Sequence, residues 1–299
     1  MIQEYSFAKD ADDKEIMKDM HSEFPIICKK TAARQVRTSV PWHWHDALEI
    51  DLVTKGRILY RMPKTSFLLE EGDVLLVNSN VPHSTVFPEK TGEEEQLTLL
   101  FLPELIGGNA FSIFSRKYVR PFTEDRKTEG ILLRRSDPPA KRLFEACDLF
   151  REEPFGYEMC VRNILSDAWL EITRDVVRNH DEDGRRTDQN NSKIKPMLAY
   201  ISNHYGSKLT LEEIAGAANI STRECSRTFR RTIRESTMNY VTMYRLHMAQ
   251  IMLLETNADV EQIAEKCGFS SSSYFIRVCR EQTGMTPYRF RKKEGRTDG

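Results

Sequence analysis

The sequence predicts an α+β protein of two domains, an N-terminal antiparallel β-barrel with flanking helices and an all-α C-terminal domain. Short aliphatic and β-branched runs separated by turn residues fill residues 41–102, helical periodicity follows Pro138, and an internal repeat fills the last third. A single core stops growing near ~250–300 residues, so a chain of 299 residues is expected to build two cores.

The barrel is assigned to residues 1–136. Its central strands are predicted from LEIDLVTKG, RILYRM, TSFLLEEGD, VLLVNSNVPHS and QLTLLFL, whose spacing is typical of a small antiparallel barrel or sandwich. Two amphipathic helices are predicted in residues 137–180, with their apolar faces carried by Leu143, Ala146, Leu149 and Phe150 and by Val161, Ile164, Leu165, Ala168, Trp169 and Ile172. These faces are expected either to form a dimer interface or to cover the barrel.

A linker is predicted at residues 181–192, because HDEDGRRTDQNNS (180–192) contains no apolar residue. The domain after it, residues 193–299, is helical in pattern and contains a duplication. LTLEEIAGAANISTRECSRTF, from Leu209, aligns with ADVEQIAEKCGFSSSSYFIRVC, from Ala258. Each copy reads as a short helix, a tight turn and a second helix with a basic face, which is the pattern of a helix-turn-helix unit.

Local signals support both units. Thr210 with Glu213 is a capping box, and Asp259 with Gln262 is an analogous start. Asn219 and Gly268 occupy equivalent turn positions, where a positive φ is expected. The second helix of each unit is expected to begin after Ser221 or Ser271 and to enter the DNA major groove.

The outward positions of these second helices are the predicted DNA contacts. They are Arg223, Ser226, Arg227 and Arg230 in the first unit, and Ser272, Ser273, Ile276, Arg277 and Arg280 in the second. Arg223, Arg227 and Arg277 are candidates for base contacts, because a guanidinium can pair with O6 and N7 of guanine; a solvated basic face is the alternative. Between the units a helix of 19 residues, Thr237–Glu255, would be about 28 Å long, close to the ~34 Å between successive major grooves.

Charge and cysteine usage bound the environment. The net charge is -1, but residues 192–299 hold 17 basic and 11 acidic residues, a net of +6, which leaves 27 against 34, or -7, before them. Such asymmetry is typical of nucleic-acid binding. The six cysteines form no CxxC pair, and charges throughout residues 4–19 exclude a signal peptide or membrane span there, so a reducing, cytoplasmic location is expected.

The C-terminal region resembles the AraC/XylS family of transcription activators over about residues 193–293. The most specific segment is GFSSSSYFIRVCREQTGMTPYRFR, Gly268 to Arg291. Cys225 and Cys279 depart from the large apolar residues usual in the family, and Arg234 stands where Gly284 ends the second copy. The resemblance implies double-stranded DNA and RNA polymerase as partners and a homodimer formed through the helices of 137–180.

HWHDALEIDLVTKG, from His43 to Gly56, matches HxHx3Ex6G, the first motif of the cupin superfamily. A looser second motif runs from Gly72 to His83, with Asn78 and Asn80 where proline and glycine are usual. In metal-binding cupins the positions of His43, His45, Glu49 and His83 hold a divalent cation, and imidazole with carboxylate suits iron, manganese, nickel or zinc.

Two other roles for these four residues stay open, binding an organic effector, such as a sugar or its derivative, and a purely structural role. Trp42 and Trp44, of opposite parity to the histidines, are expected at the outer surface or rim. The leading hypothesis is a transcription regulator controlled by a small effector, and not an enzyme; the alternative is a metal-dependent cupin enzyme with an appended DNA-binding domain.

Overall fold

The computed structural model of the chain describes residues 2–4, 20, 23–33, 39–89, 92–125, 127–178 and 189–294. Most of the charged N-terminal stretch and residues 181–188 of the predicted linker lie outside these ranges. Among the described residues, no helix has the length and apolarity that a membrane span requires.

The N-terminal domain contains two β-sheets. The first has the order β1-β2-β9-β4-β7-β10 and the second the order β3-β8-β5-β6. Every recorded pairing is antiparallel except that of β1 with β2. The strands are β1 (Gln3–Glu4), β2 (Ile26–Ala32), β3 (Ser39–His43), β4 (Leu48–Lys55), β5 (Ile58–Arg61), β6 (Ser66–Leu69), β7 (Val74–Val77), β8 (His83–Val86), β9 (Glu95–Phe101) and β10 (Gly130–Leu133).

The predicted fold class is confirmed, and the barrel takes the form of a cupin-like sandwich. Among the described strands, no backbone pairing joins the two sheets. Strand β4 shows how the sandwich is built. Leu48, Ile50 and Leu52 pack with the helices behind the sheet, whereas Val53, of odd parity like Glu49 and Asp51, packs with residues of the second sheet.

Helices cover the outer face of the six-stranded sheet. They are α1 (Glu104–Gly107), a π-helical turn (Ser115–Val119), α2 (Arg120–Thr123), α3 (Pro138–Glu152), α4 (Tyr157–Ile172) and α5 (Arg174–Arg178). Leu143, Leu165 and Trp169 share one core with Ile50 and Leu99 of the sheet. The apolar faces predicted in residues 137–180 therefore cover the sheet within the protomer, which is the second of the two roles expected for them.

The C-terminal domain is helical throughout its described residues, apart from turns. It comprises α6 (Gln189–His204), α7 (Leu211–Ala217), α8 (Thr222–Thr232), α9 (Thr237–Glu255), α10 (Val260–Lys266), α11 (Ser272–Thr283) and α12 (Pro287–Glu294). Helix α6 begins at Gln189, so the end of the predicted linker is helical. Both capping boxes form, and the hydroxyls of Ser221 and Ser271 accept hydrogen bonds at the starts of α8 and α11.

The turns of the two units also match the prediction. Asn219 has φ +52° and Gly268 has φ +73°, both in the left-handed region. Helix α9 has the predicted bounds and spans 19 residues. Arg234 stands in the place of a glycine without changing the backbone conformation, because it adopts φ +63° where Gly284 has φ +73°. Both units therefore end in the same way.

Candidate effector pocket and DNA-binding surface

Four buried side chains meet between the two sheets. His43 ends β3 and lies opposite His83 at the start of β8, Glu49 comes from β4 of the other sheet, and His45 lies in the segment that connects β3 to β4. One potential ligand atom from each residue lies within 4.8 Å of the others. The structure thus brings together all four residues of the predicted pocket, with the chain crossing from one sheet to the other between His43 and Glu49.

The backbone fixes the orientation of each imidazole. Nδ1 of His43 lies 2.8 Å from the carbonyl oxygen of Pro41, Nδ1 of His45 lies 3.0 Å from that of Ala47, and Nδ1 of His83 lies 2.8 Å from that of Val81. Because a carbonyl can only accept, each Nδ1 must carry the hydrogen and donate it. Nε2 of each neutral ring is then the atom with a lone pair.

Two of these Nε2 atoms lie against the Glu49 carboxylate. Its Oε2 lies 2.8 Å from Nε2 of His45 and 3.0 Å from Nε2 of His83. A lone pair on nitrogen facing a carboxylate oxygen is repulsive, so this arrangement requires a positive charge at the centre, either protons on the rings or a cation. The geometry matches metal-binding histidines, which usually donate the second ring nitrogen to a carbonyl or carboxylate.

Burial and neighbouring charges shift the pKa values of the pocket. Burial, aided by His83, lowers the pKa of His43 well below its ordinary value, so His43 is neutral. Burial alone would raise the pKa of Glu49, but the charge of His83 and the hydrogen bonds from His45 and His83 outweigh it and hold that pKa well below its usual range. The pocket therefore offers a carboxylate beside at least one neutral imidazole.

A polar lining that the sequence analysis missed extends the pocket inside the sandwich. Oδ1 of Asp51 accepts a hydrogen bond of 2.8 Å from the Thr98 hydroxyl, and Nε2 of Gln96 donates to the Tyr60 hydroxyl at 2.9 Å. Burial, with the charge of Glu49, raises the pKa of Asp51 well above its ordinary value. Asp51 shares the parity of Glu49 on β4, and that parity is the signal that could have identified it.

The cavity beside this site touches two of the four predicted ligands, His43 and Glu49, and is small, about 30 Å³. Its lining comprises Lys29, Thr31, Val40, His43, Glu49, Thr85, Gln96, Thr98 and Leu100. A cavity needs only about 10–15 Å³ of such space to hold one water molecule. The cavity therefore has room for an ion or a water molecule rather than for a large organic molecule.

The loop before His83 explains the departures from the second cupin motif. Asn80 adopts φ +61°, a conformation that glycine or asparagine tolerates, and its backbone N–H donates to the His45 carbonyl at 2.8 Å. The Asn78 amide donates to the Phe122 carbonyl at 2.8 Å. Both asparagines thus hold the loop that leads to His83.

The predicted DNA contacts lie at the surface of the second helix of each unit. Arg223, Arg227 and Arg230 are exposed on α8, Ser273, Ile276, Arg277 and Arg280 are exposed on α11, and Ser226 and Ser272 are partly exposed. The opposite faces, with Cys225, Phe229, Phe275 and Cys279, are fully buried. Both helices therefore present their basic faces outward.

Two of the candidate arginines have intramolecular partners. Arg227 pairs with Glu224 on the same helix, and Arg277 lies 3.8 Å from a carboxylate oxygen of Glu281 with its guanidinium 5.2 Å from the centre of the Tyr274 ring. These contacts hold the guanidinium groups near the helix surface.

All six cysteines are free, and only Cys160 is exposed.

The chain matches two family models. Residues 30–155 match an AraC-like ligand-binding domain, and residues 214–293 match a helix-turn-helix domain. The chain is 34% identical over 225 residues to the HTH-type transcriptional regulator YijO of Escherichia coli, with 75% of each chain covered. It is 28% identical over 294 residues to the HTH-type transcriptional regulator YdeC of Bacillus subtilis, with 96% of this chain and 98% of the relative covered.

Among solved structures, that of ToxT from Vibrio cholerae overlays on 90% of this chain and 98% of its own, with 12% identity and a TM-score of 0.48. A cupin-like sandwich joined to a double helix-turn-helix domain defines a DNA-binding transcription regulator with a ligand-binding domain. The chain belongs to the AraC/XylS family of these regulators. The matched domains are regulatory, in agreement with the expectation that the chain is not an enzyme.

Proposed function

We propose that this regulator is controlled by a divalent transition-metal ion held by His43, His45, Glu49 and His83. The observation that carries the proposal is the convergence of these four ligand atoms within 4.8 Å, with every Nδ1 bound to a carbonyl. Three neutral imidazoles and one carboxylate suit zinc, iron, nickel or manganese. A bound cation would be coordinated by the Nε2 lone pairs and would neutralise the buried Glu49 carboxylate.

The cavity size favours an ion over an organic effector such as a sugar. Pockets for organic ligands usually enclose ~300–1,000 Å³, ten or more times the volume of about 30 Å³ found in this sandwich. An organic effector would require the sheets to separate. It remains the second candidate, because Asp51, Gln96 and Thr98 add hydrogen-bonding groups beside the four ligands.

Metal analysis of the purified full-length chain tests the proposal. We expect about one equivalent of metal after dialysis against Zn²⁺, Ni²⁺, Mn²⁺ or Fe²⁺ in turn. Replacing two ligands, as in the double variant His45→Ala and Glu49→Gln, should abolish that binding. His204→Ala, an exposed histidine outside the pocket, is the matched control. A wild-type chain that retains none of the four metals would reject the metal and leave the organic effector.

The remaining parts of the proposal concern partners. Sequence-specific contacts are assigned to Arg223, Arg227 and Arg277, and phosphate contacts to the other basic residues of α8 and α11. We propose a cytoplasmic homodimer that acts on RNA polymerase, as the family resemblance implies. Because the inner faces of α3 and α4 are buried, the dimer interface is assigned to exposed apolar residues of the same segment, Phe155, Met159 and Leu170.

A further inference from the structure

Strand β3 and the residues after it have two functional faces. His43 and His45 point into the pocket, and the alternate residues Trp42 and Trp44 point to the opposite side. We expected both tryptophans at the surface or rim, but they are only 4% and 7% exposed. The side chains that bury them belong to the DNA-binding domain.

The tryptophans share one apolar core with the first helix-turn-helix unit. This core includes Ile194, Met197 and Leu198 of α6 and Tyr240, Val241 and Tyr244 of α9. The Tyr240 hydroxyl donates a hydrogen bond of 3.3 Å to the backbone carbonyl of Trp42, and Nζ of Lys195 lies 5.5 Å from the centre of the Trp44 ring. The first unit is thus docked on the back of a pocket strand.

A second pocket element touches the same unit. The side-chain oxygen of Asn80 lies 3.5 Å from Nζ of Lys195, and the Asn80 backbone N–H binds the His45 carbonyl at 2.8 Å. Asn80 belongs to the loop that leads to His83. Away from the pocket, Arg61 and Glu235 add an ion pair of 3.7 Å between the same two domains.

We infer that β3 and the Asn80 loop transmit the state of the pocket to the first helix-turn-helix unit. A ligand that draws His43, His45 and His83 together would shift the backbones that carry them, because each ring is hydrogen-bonded to a backbone carbonyl two residues away. Trp42, Trp44 and Asn80 lie on those backbones and would move with the histidines, which changes their fit to α6 and α9. This inference rests on the proposed function, because it requires the pocket to bind a ligand.

Helix α9 extends the effect to the second unit. Its first half, with Tyr240 and Tyr244, packs on the tryptophan core, and its second half, with Leu246, Ala249 and Leu253, packs in the core of the second unit. The described part of α9 contains neither glycine nor proline and so has no built-in hinge. A change of docking at β3 would therefore reorient both recognition helices relative to the sandwich.

DNA affinity of the full-length chain, with and without Zn²⁺, tests the coupling. We expect Zn²⁺ to change the affinity at least about five-fold, the lower end of ordinary allosteric coupling. Lys195→Met and Tyr240→Phe remove contacts between the domains, so either variant should bring this ratio close to one while Zn²⁺ still binds. The matched controls are Lys193→Met and Tyr274→Phe, whose side chains contact Glu224 and Phe269 of the DNA-binding domain, respectively. Both should keep the wild-type ratio.

The outcomes separate the two proposals. If Zn²⁺ binds the four ligands but leaves the DNA affinity of the wild type unchanged, or if Lys195→Met and Tyr240→Phe keep the full ratio, the coupling is overturned and the metal site stands. If no metal binds, a ligand-free double-mutant cycle between His45→Ala and Lys195→Met decides the coupling. A departure from additivity of at least about three-fold in DNA affinity supports it, and additive effects overturn it.

Discussion

Each pocket histidine is oriented by the carbonyl of a residue two positions away. These local hydrogen bonds leave the three Nε2 atoms as the ligand atoms. The surrounding fold adds Glu49 and buries the four side chains. The arrangement is costly without a positive charge at the centre, from ring protons or a cation, because the buried Glu49 carboxylate would otherwise face Nε2 lone pairs. At the scale of single residues, the pocket is therefore built for a positive charge.

His43 predicts a pH dependence of stability in the metal-free chain. Its pKa in the folded state lies well below the ordinary value of 6.5, so the unfolded chain binds this proton first. Stability should fall as pH decreases from about 7 through 6.5 and should level off below the folded pKa. Urea unfolding between pH 7.5 and 5.5 measures this effect, and His43→Gln should flatten the curve over that interval. An equal slope in the variant would assign the effect to other groups.

The candidate arginines predict losses that depend on DNA sequence. Alanine at Arg223, Arg227 or Arg277 should weaken binding to the cognate site by ~1–3 kcal/mol and relax the preference at one base pair. Binding to sites with every single-base substitution measures both effects. A variant that loses the same affinity on every sequence would place that arginine on a phosphate.

At the scale of elements, the two helix-turn-helix units share one design with different residues. Both open with a capping box, both turn through a left-handed residue and both end in one, as Asn219 and Gly268 or Arg234 and Gly284 show. The connecting helix α9 belongs to both cores. The duplication thus preserves backbone conformation where side-chain identity has changed.

Arg234 predicts a stabilising substitution. A left-handed conformation costs a residue with a Cβ about 1–2 kcal/mol, part of which glycine returns as greater freedom of the unfolded chain. Arg234→Gly should therefore raise the free energy of unfolding by about 0.5–1 kcal/mol, measured by urea denaturation. Arg231→Gly, inside α8, should lower it by about 1 kcal/mol and serves as the control. A destabilised Arg234→Gly variant would contradict this account of the helix end.

The faces of α4 predict opposite outcomes for two charge insertions. Leu165 is 1% exposed in the protomer core, so Leu165→Glu should lower the free energy of unfolding by at least about 3 kcal/mol and unfold the N-terminal domain. Met159 is 69% exposed, so Met159→Glu should leave the protomer folded and convert the proposed dimer to a monomer. Sedimentation with circular dichroism separates the two effects. A folded dimer of Met159→Glu would place the interface elsewhere.

At the scale of the whole molecule, the positive charge that attracts DNA is separate from the residues that join the two domains. The net charge of +6 lies in residues 192–299 and serves the DNA, whereas contact between the domains is mainly apolar, through Trp42 and Trp44. Docking should therefore respond weakly to salt, while DNA binding responds strongly. A change of docking of the kind inferred above would therefore leave the electrostatic attraction to DNA in place.

The basic domain predicts a steep salt dependence of DNA affinity. With about six phosphate contacts, affinity of the full-length chain should fall on the order of 1,000-fold between 50 and 200 mM salt. Fluorescence anisotropy on the cognate site and on unrelated DNA measures the two slopes, which should be similar. An affinity that is unchanged over this interval would count against phosphate contacts as the main source of binding.

Periodicity, capping and spacing by themselves determined much of this protein. The caps at Thr210, Ser221, Asp259 and Ser271, the bounds of α9 and the four pocket residues all follow from interactions within a few residues or from motif spacing. Such signals depend on residues that are close together in the chain. They can therefore be recognised from the order of the residues alone. They were sufficient to predict the class of fold and the class of protein.

Only the tertiary structure decided which apolar faces meet. The sequence shows that Trp42, Leu165 and Trp169 are apolar. Because hydrophobic attraction has no direction, it does not specify which apolar face packs against which other. Packing places Leu165 and Trp169 against the sheet and Trp42 against the DNA-binding domain. The size of the pocket is likewise a property of two facing sheets, because it depends on how closely side chains distant in sequence approach one another.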